Sequence, residues 1–162
     1  MLQVLKVNGA PVRGGNRAPV IFHAPHRVMF LAGTIQLLAA LAWWSHELAL
    51  RLTSGGAAVW PVHGGWLHGL WLIYGVYPFF IFGFLMTAMP RWQGAVPVPA
   101  RIYLAAAGLC AAGWLLFWAG LRWHALLPAA LGLVLSGWMV AWRDLVRIAG
   151  QPHAGLFAAS LR

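Results

Sequence analysis

From Gly69 to Pro90 the chain carries no charged side chain, and that stretch alone narrows the choice of fold more than any other feature. It is long enough to cross the hydrocarbon core of a bilayer as a helix. Inside lipid, backbone N–H and C=O groups must be bonded within the protein, so only helices and closed β-barrels span. The run lacks the alternation of a barrel strand, which leaves the helix. It opens on His68 and closes on Pro90, Arg91 and Trp92. A histidine at the mouth of such a helix is costly unless it is used, so His68 marks a candidate site.

The same pattern recurs along the chain. Spans are predicted over Val28–Leu48, Leu67–Met89, Ile102–Leu121 and Ala125–Trp142, each close to the ~20 residues a crossing needs. The expected fold is therefore all-α: a polytopic membrane helix bundle of four transmembrane helices. Residues 1–27 form a basic, flexible N-terminal tail, 28–143 the membrane domain, and 144–162 a cytoplasmic tail or the start of an incomplete fifth helix. Apolar residues make up 62% of the sequence and charged residues 8%, with two acids, Glu47 and Asp144, against 11 Lys and Arg.

A formal charge of +9 on a soluble chain would suggest nucleic acid. Here the bases fall between apolar runs, so they act as topology signals and headgroup contacts, and no nucleic-acid partner is expected. Nine of them (Lys6, Arg13, Arg17, Arg27, Arg91, Arg101, Arg143, Arg147 and Arg162) lie on one side of the predicted membrane, and Arg51 and Arg122 on the other. That imbalance predicts both termini in the cytoplasm of a bacterial inner membrane. Trp43, Trp44, Trp66, Trp92, Trp123 and Trp142 fall near predicted span ends, where interfacial anchors belong. The single cysteine, Cys110, lies in an apolar run and has no partner for a disulfide within the chain.

Two packing signals are present. Gly108 with Ala112, and Gly132 with Ser136, make small-xxx-small pairs that permit close helix approach. Pro78, mid-way along the second span, deprives the Tyr74 carbonyl of its usual partner and predicts a kink.

Histidine is the only side chain present in numbers that suit a metal or haem. His46, His63, His68 and His124 fall on the side poor in bases, whereas His23, His26 and His153 fall on the basic side. Four neutral imidazoles near one face make a plausible ligand set for haem iron or copper. His46 ends the first span where His68 begins the second, so an antiparallel pair brings them level. Glu47 is a partner orienting an imidazole, a ligand itself, or the counter-ion of Arg51 at i+4. His23 and His26 flank Pro25, which suits the first position of a helix. Paired carboxylates, a P-loop, a nucleophile elbow and CxxC are all missing from the sequence.

These segments together resemble the NnrS family. The resemblance rests on Ala24–Arg27 (APHR) opening one span, His68 opening the next, Tyr74–Gly75, and above all Gly83–Gly94 (GFLMTAMPRWQG). WWSHEL and Trp114–Leu121 fit the same pattern. The resemblance implies a bacterial inner-membrane protein with about twelve spans at full length, associated with haem and copper and with nitric oxide metabolism or nitrosative stress. Many members open the second span with HxHE; here His68 matches the first histidine, but Leu70 and Trp71 stand at the other two positions. The chain corresponds to about the first third of a typical member.

The leading expectation is an NnrS-like membrane protein that binds haem, or copper, and handles nitric oxide. Haem would be held by His68 with His46 or His26, and a metal by His68, His46 and His63. Its partners would be the lipid bilayer, a small gas such as nitric oxide, and either a second copy of the chain or the remaining spans of a longer protein. The alternative is a cofactor-free membrane scaffold or assembly subunit that associates through its third and fourth spans. A transporter fits less well, because no acid, Lys or Arg lies mid-span.

Overall fold

The computed structural model describes residues 19–55, 60 and 62–151. Most of the tail predicted to be flexible (1–18) and the last apolar stretch (154–161) lie outside the described residues. After a 3₁₀ turn over Val20–His23, the chain forms α1 (Pro25–Ser54), α2 (Gly64–Leu70), a π turn (Trp71–Val76) and α3 (Tyr77–Trp92). Then follow α4 (Ala100–Gly120) and, beyond a 3₁₀ turn over His124–Leu126, α5 (Leu127–Ala149). The described residues contain no strand, and α2, the π turn and α3 continue one another as a single rod from Gly64 to Trp92. Four rods are thus long and apolar enough to cross a membrane.

The helices outrun the hydropathy signal at both ends. α1 starts at Pro25 rather than Val28 and continues to Ser54 rather than Leu48. Pro25 sits in its first turn, where its missing N–H costs nothing, and Gly55 closes it in the left-handed region at φ 66°. α5 likewise runs to Ala149, so residues 144–149, expected in the tail, are helical. Hydropathy marks only the part of a helix that suits lipid. Polar ends bearing His26, Arg51 or Arg147 continue the same backbone hydrogen bonding outside it.

Pro78 is accommodated by a change of helix type. Immediately before it the backbone widens into the π turn, and the Tyr77 N–H bonds to the Leu72 carbonyl, five residues back. A proline clashes with the carbonyl four residues earlier, and a π turn relieves that crowding while keeping the strand of bonds going. Gly75 lies within the turn. A side chain there would meet Gln36 Nε2 at 3.0 Å and Trp114 at 3.3 Å, so the glycine admits neighbours rather than opening space.

Two seams of small residues hold the rods together. Between α1 and α3, a Cβ on Gly33 would lie 2.9 Å from Phe79 Cβ, and one on Gly83 would lie 2.7 Å from Met29 Cβ. Between α4 and α5, a Cβ on Gly113 would lie 2.6 Å from Val134, and one on Gly137 2.5 Å from Cys110 Sγ. The pairs expected to pack, Gly108 with Ala112 and Gly132 with Ser136, do not make the α4–α5 contact: Gly108 and Gly132 have open space on their exposed faces. Composition found the right kind of residue but not the right helix face, which sequence spacing alone leaves open.

The core runs along these seams through Met29, Phe79, Met86, Ala106, Cys110, Val134 and Ala141. Outward faces carry Leu31, Ile35, Leu38, Ile81, Phe84, Leu115, Leu131 and Leu135, as lipid contact requires. The alternating directions gather Arg27, Arg91, Arg101, Arg143 and Arg147 at one end of the bundle and leave Arg51 and Arg122 at the other. Trp66, Trp92, Trp123 and Trp142 are exposed near the ends, whereas Trp43 and Trp44 turn partly inward.

Candidate functional site

At the arginine-rich end, the first turn of α1 meets the last turns of α3. Gly83 lets α3 come close enough to Met29 for this meeting, and Thr87, one turn further along, reaches His26. The Thr87 hydroxyl donates to the Gly83 carbonyl at 2.8 Å. Its only hydrogen is then committed, so towards His26 the oxygen accepts. It accepts from the backbone N–H of His26 at 3.2 Å, satisfying a group that the first turn of a helix leaves without a partner. It also lies 3.3 Å from His26 Nδ1. With Nδ1 as the donor to that oxygen, Nε2 would keep its lone pair. Phe30 braces the ring edge-on, with centroids 6.0 Å apart.

Beside this pair lies a cavity of about 430 Å³ lined by Phe22, His23, Pro25, Met86, Thr87, Pro90, Arg91 and Tyr103, among others. The Tyr103 hydroxyl donates to the Phe22 carbonyl, tying the start of α4 to the turn before α1. Arg27 donates to the Val20 carbonyl at 3.0 Å and holds the same turn from the other side. The volume falls in the range typical of small-molecule and cofactor sites. The wall offers an imidazole, a thioether, a phenol and a guanidinium on an otherwise apolar surface. Segments 24–27 and 83–94, which carried much of the family resemblance, meet here.

The opposite end is built of aromatic rings. His68 stacks on Trp44 with centroids 4.6 Å apart and planes 15° from parallel, and its Nδ1 is buried with no hydrogen-bond partner. Trp71, fully buried, stacks on Trp118 at 4.0 Å and meets Trp43 edge-on at 4.5 Å. Glu47 is fully buried; its Oε1 accepts from Arg51 Nε at 3.1 Å and Nη2 at 2.9 Å, and its Oε2 from Trp60 Nε1 at 2.9 Å. Of the three roles considered for Glu47, the ion pair with Arg51 is thus formed. His63 caps α2, its Nδ1 accepting from the Gly65 N–H at 3.2 Å.

The candidate histidines do not converge. His46 is exposed and stands two positions after Trp44, about 200° further round the helix, so it faces away from His68. His26 lies about 27 Å from Trp44 along the α1 axis, at 1.5 Å per residue, so His26 and His68 cannot share one iron. His63 is engaged in its cap. Among the described residues no three His, Cys, Asp or Glu side chains gather as a metal-binding group. His153 lies outside the described residues.

Sequence inspection missed Thr87, Met86 and Tyr103, whose importance comes from partners 61 or more residues away or from the cavity wall. It also missed Gln36, a lone amide in an apolar run. Gln36 is buried, with Oε1 3.4 Å from Trp118 Nε1 and Nε2 without a partner. An uncompensated polar side chain mid-span was a signal available in the sequence.

A family model described as NnrS protein matches residues 20–161. Searches of curated proteins and of solved structures returned no match.

Proposed function

This chain belongs to the NnrS family, and from that premise we propose that it binds haem through His26 and serves the nitric oxide response. Its four membrane-length helices make it a multi-pass membrane protein. The excess of arginine at one end supports an inner-membrane location with that end in the cytoplasm.

The observation that carries the proposal is the Thr87 hydroxyl 3.3 Å from His26 Nδ1, a contact that orients the ring and, with Nδ1 as the donor, would leave Nε2 a lone pair for iron. Metal-binding histidines are typically held this way, with the second nitrogen tied to an acceptor that sets tautomer and angle. The donor set beside it suits haem. Arg91 on the cavity wall would offer a cation to a haem carboxylate, and Met86 would offer an apolar surface to the ring. Haem needs only one or two protein ligands, unlike a closed three- or four-ligand metal centre. Held by one histidine, it would supply an exchangeable iron position for a small neutral gas. The residues here would bind and orient: His26 would ligate, Thr87 would hold its ring, and Phe22, Pro25 and Pro90 would supply apolar contacts. His68 lacks this arrangement, since its Nδ1 has no acceptor to orient the ring. Copper remains the alternative metal for the same lone pair.

The test is the visible spectrum of the full chain in mild detergent, oxidised and reduced, with iron and copper analysis. A Soret band with near-stoichiometric iron, lost in His26→Ala, is the expected result. A folded, colourless, metal-free chain would overturn the proposal in favour of the scaffold, and a Soret band indifferent to His26 would place the haem elsewhere.

A further inference from the structure

A second cavity at the arginine-rich end, about 770 Å³, lies between the loop after α3, the start of α4 and the end of α5. We propose that it is a binding site for an anionic phospholipid, whose phosphate is held by Arg101 and Arg143 and whose glycerol and upper acyl carbons rest on the apolar wall.

Charge comes first. Three guanidinium groups (Arg101, Arg143, Arg147) line the cavity against one carboxylate, Asp144. Asp144 is bridged through one oxygen: its Oδ1 accepts from Arg147 Nε at 2.8 Å, while Oδ2 is buried without a partner. Among the described residues Arg101 and Arg143 have no acidic partner, because Glu47, the other acid, is bonded to Arg51 at the far end of the bundle. Two exposed arginines that line one cavity without an acidic partner favour an anion there, and a phosphodiester matches their forked donors.

The backbone adds to this. α4 begins at Ala100 behind Pro99 with no side-chain cap, so the partial positive charge of its first turn is unneutralised beside Arg101. Shape and polarity then select lipid over a free ion. Val96, Pro97, Ile102 and Val140 form the remaining wall, and the site lies at the ends of membrane-length helices flanked by exposed Trp92 and Trp142. Basic pockets between helices at that depth are suited to lipid headgroups.

The experiment is native mass spectrometry of the full chain in detergent with added phosphatidylglycerol, phosphatidylcholine or inorganic phosphate. The proposal expects a one-to-one phosphatidylglycerol adduct, at least fivefold weaker with phosphatidylcholine. It should weaken at least fivefold in Arg101→Gln/Arg143→Gln and persist in Arg122→Gln at the opposite end. Arg101→Lys/Arg143→Lys, which keeps the charge, should bind intermediately and guards against misfolding of the neutral variant. Equal adducts in wild type and the glutamine variant, or equal binding of both lipids, would overturn the site. Displacement of the lipid by inorganic phosphate at millimolar concentration would overturn the assignment to lipid.

Discussion

Each end of the bundle presents a histidine on a helix terminus, yet the two are built differently. At the arginine-rich end His26 lies against Thr87 on α3, which lines a largely apolar cavity with a few polar groups. At the tryptophan-rich end His68 lies flat on Trp44 among indole rings, with Nδ1 buried and unpaired. A ligand needs a free lone pair, an oriented ring and adjacent room. The first end offers a ring held against Thr87 and a cavity that Thr87 lines, whereas the second spends its aromatic surface on packing. Position in the sequence made His68 the more conspicuous residue, and its surroundings make it the less equipped one.

Five substitutions would break or sharpen this contrast. The largest effect is expected from His26→Ala, which should abolish nearly all Soret absorbance while His68→Ala leaves it intact. Reversed behaviour in the visible spectrum would exchange the roles of the two ends. Thr87→Val keeps the shape but removes the acceptor, and should weaken haem about 10- to 100-fold, as loss of a ligand's orienting partner does. Titration of the stripped protein with haem measures this, and an unchanged affinity would mean that Thr87 serves only the helix contact.

At the other end, Glu47→Ala strips Arg51 and Trp60 of their shared acceptor and should cost about 2 kcal/mol of stability. Its midpoint of thermal unfolding should fall while haem content per folded chain is preserved. Smallest is Trp44→Leu, which removes the stack over His68 and should cost about 1 kcal/mol. A large loss of colour in that variant would show that the aromatic end contributes to the site after all.

Much of the architecture was legible because lipid solvation is a local, additive property. An uncharged run such as Gly69–Pro90 declares a helix without reference to any other segment, and proline and glycine mark the limits of α1. Even Pro78 announced a disturbance, although whether a kink or a π turn would answer it depended on what packs alongside. Rotation about the helix axis was not legible. The pairs at Gly108 and Gly132 follow the same rule as those at Gly113 and Gly137, and only the second set meets a neighbouring helix. In a membrane both faces of a helix are apolar, so the hydrophobic stripe that reveals the inner face of a soluble helix is faint.

By itself, then, the sequence determined four lipid-crossing helices, their alternating sense and the gathering of arginine at one end, since transfer free energies and charge placement add residue by residue. Tertiary structure alone decided that His46 faces away from His68, that His26 and His68 stand at opposite ends, and that Thr87 lies against the His26 ring. Those outcomes depend on how closely two helices approach and which faces they turn to each other. Here that approach is set by Gly33 and Gly83, whose missing side chains let α1 and α3 touch.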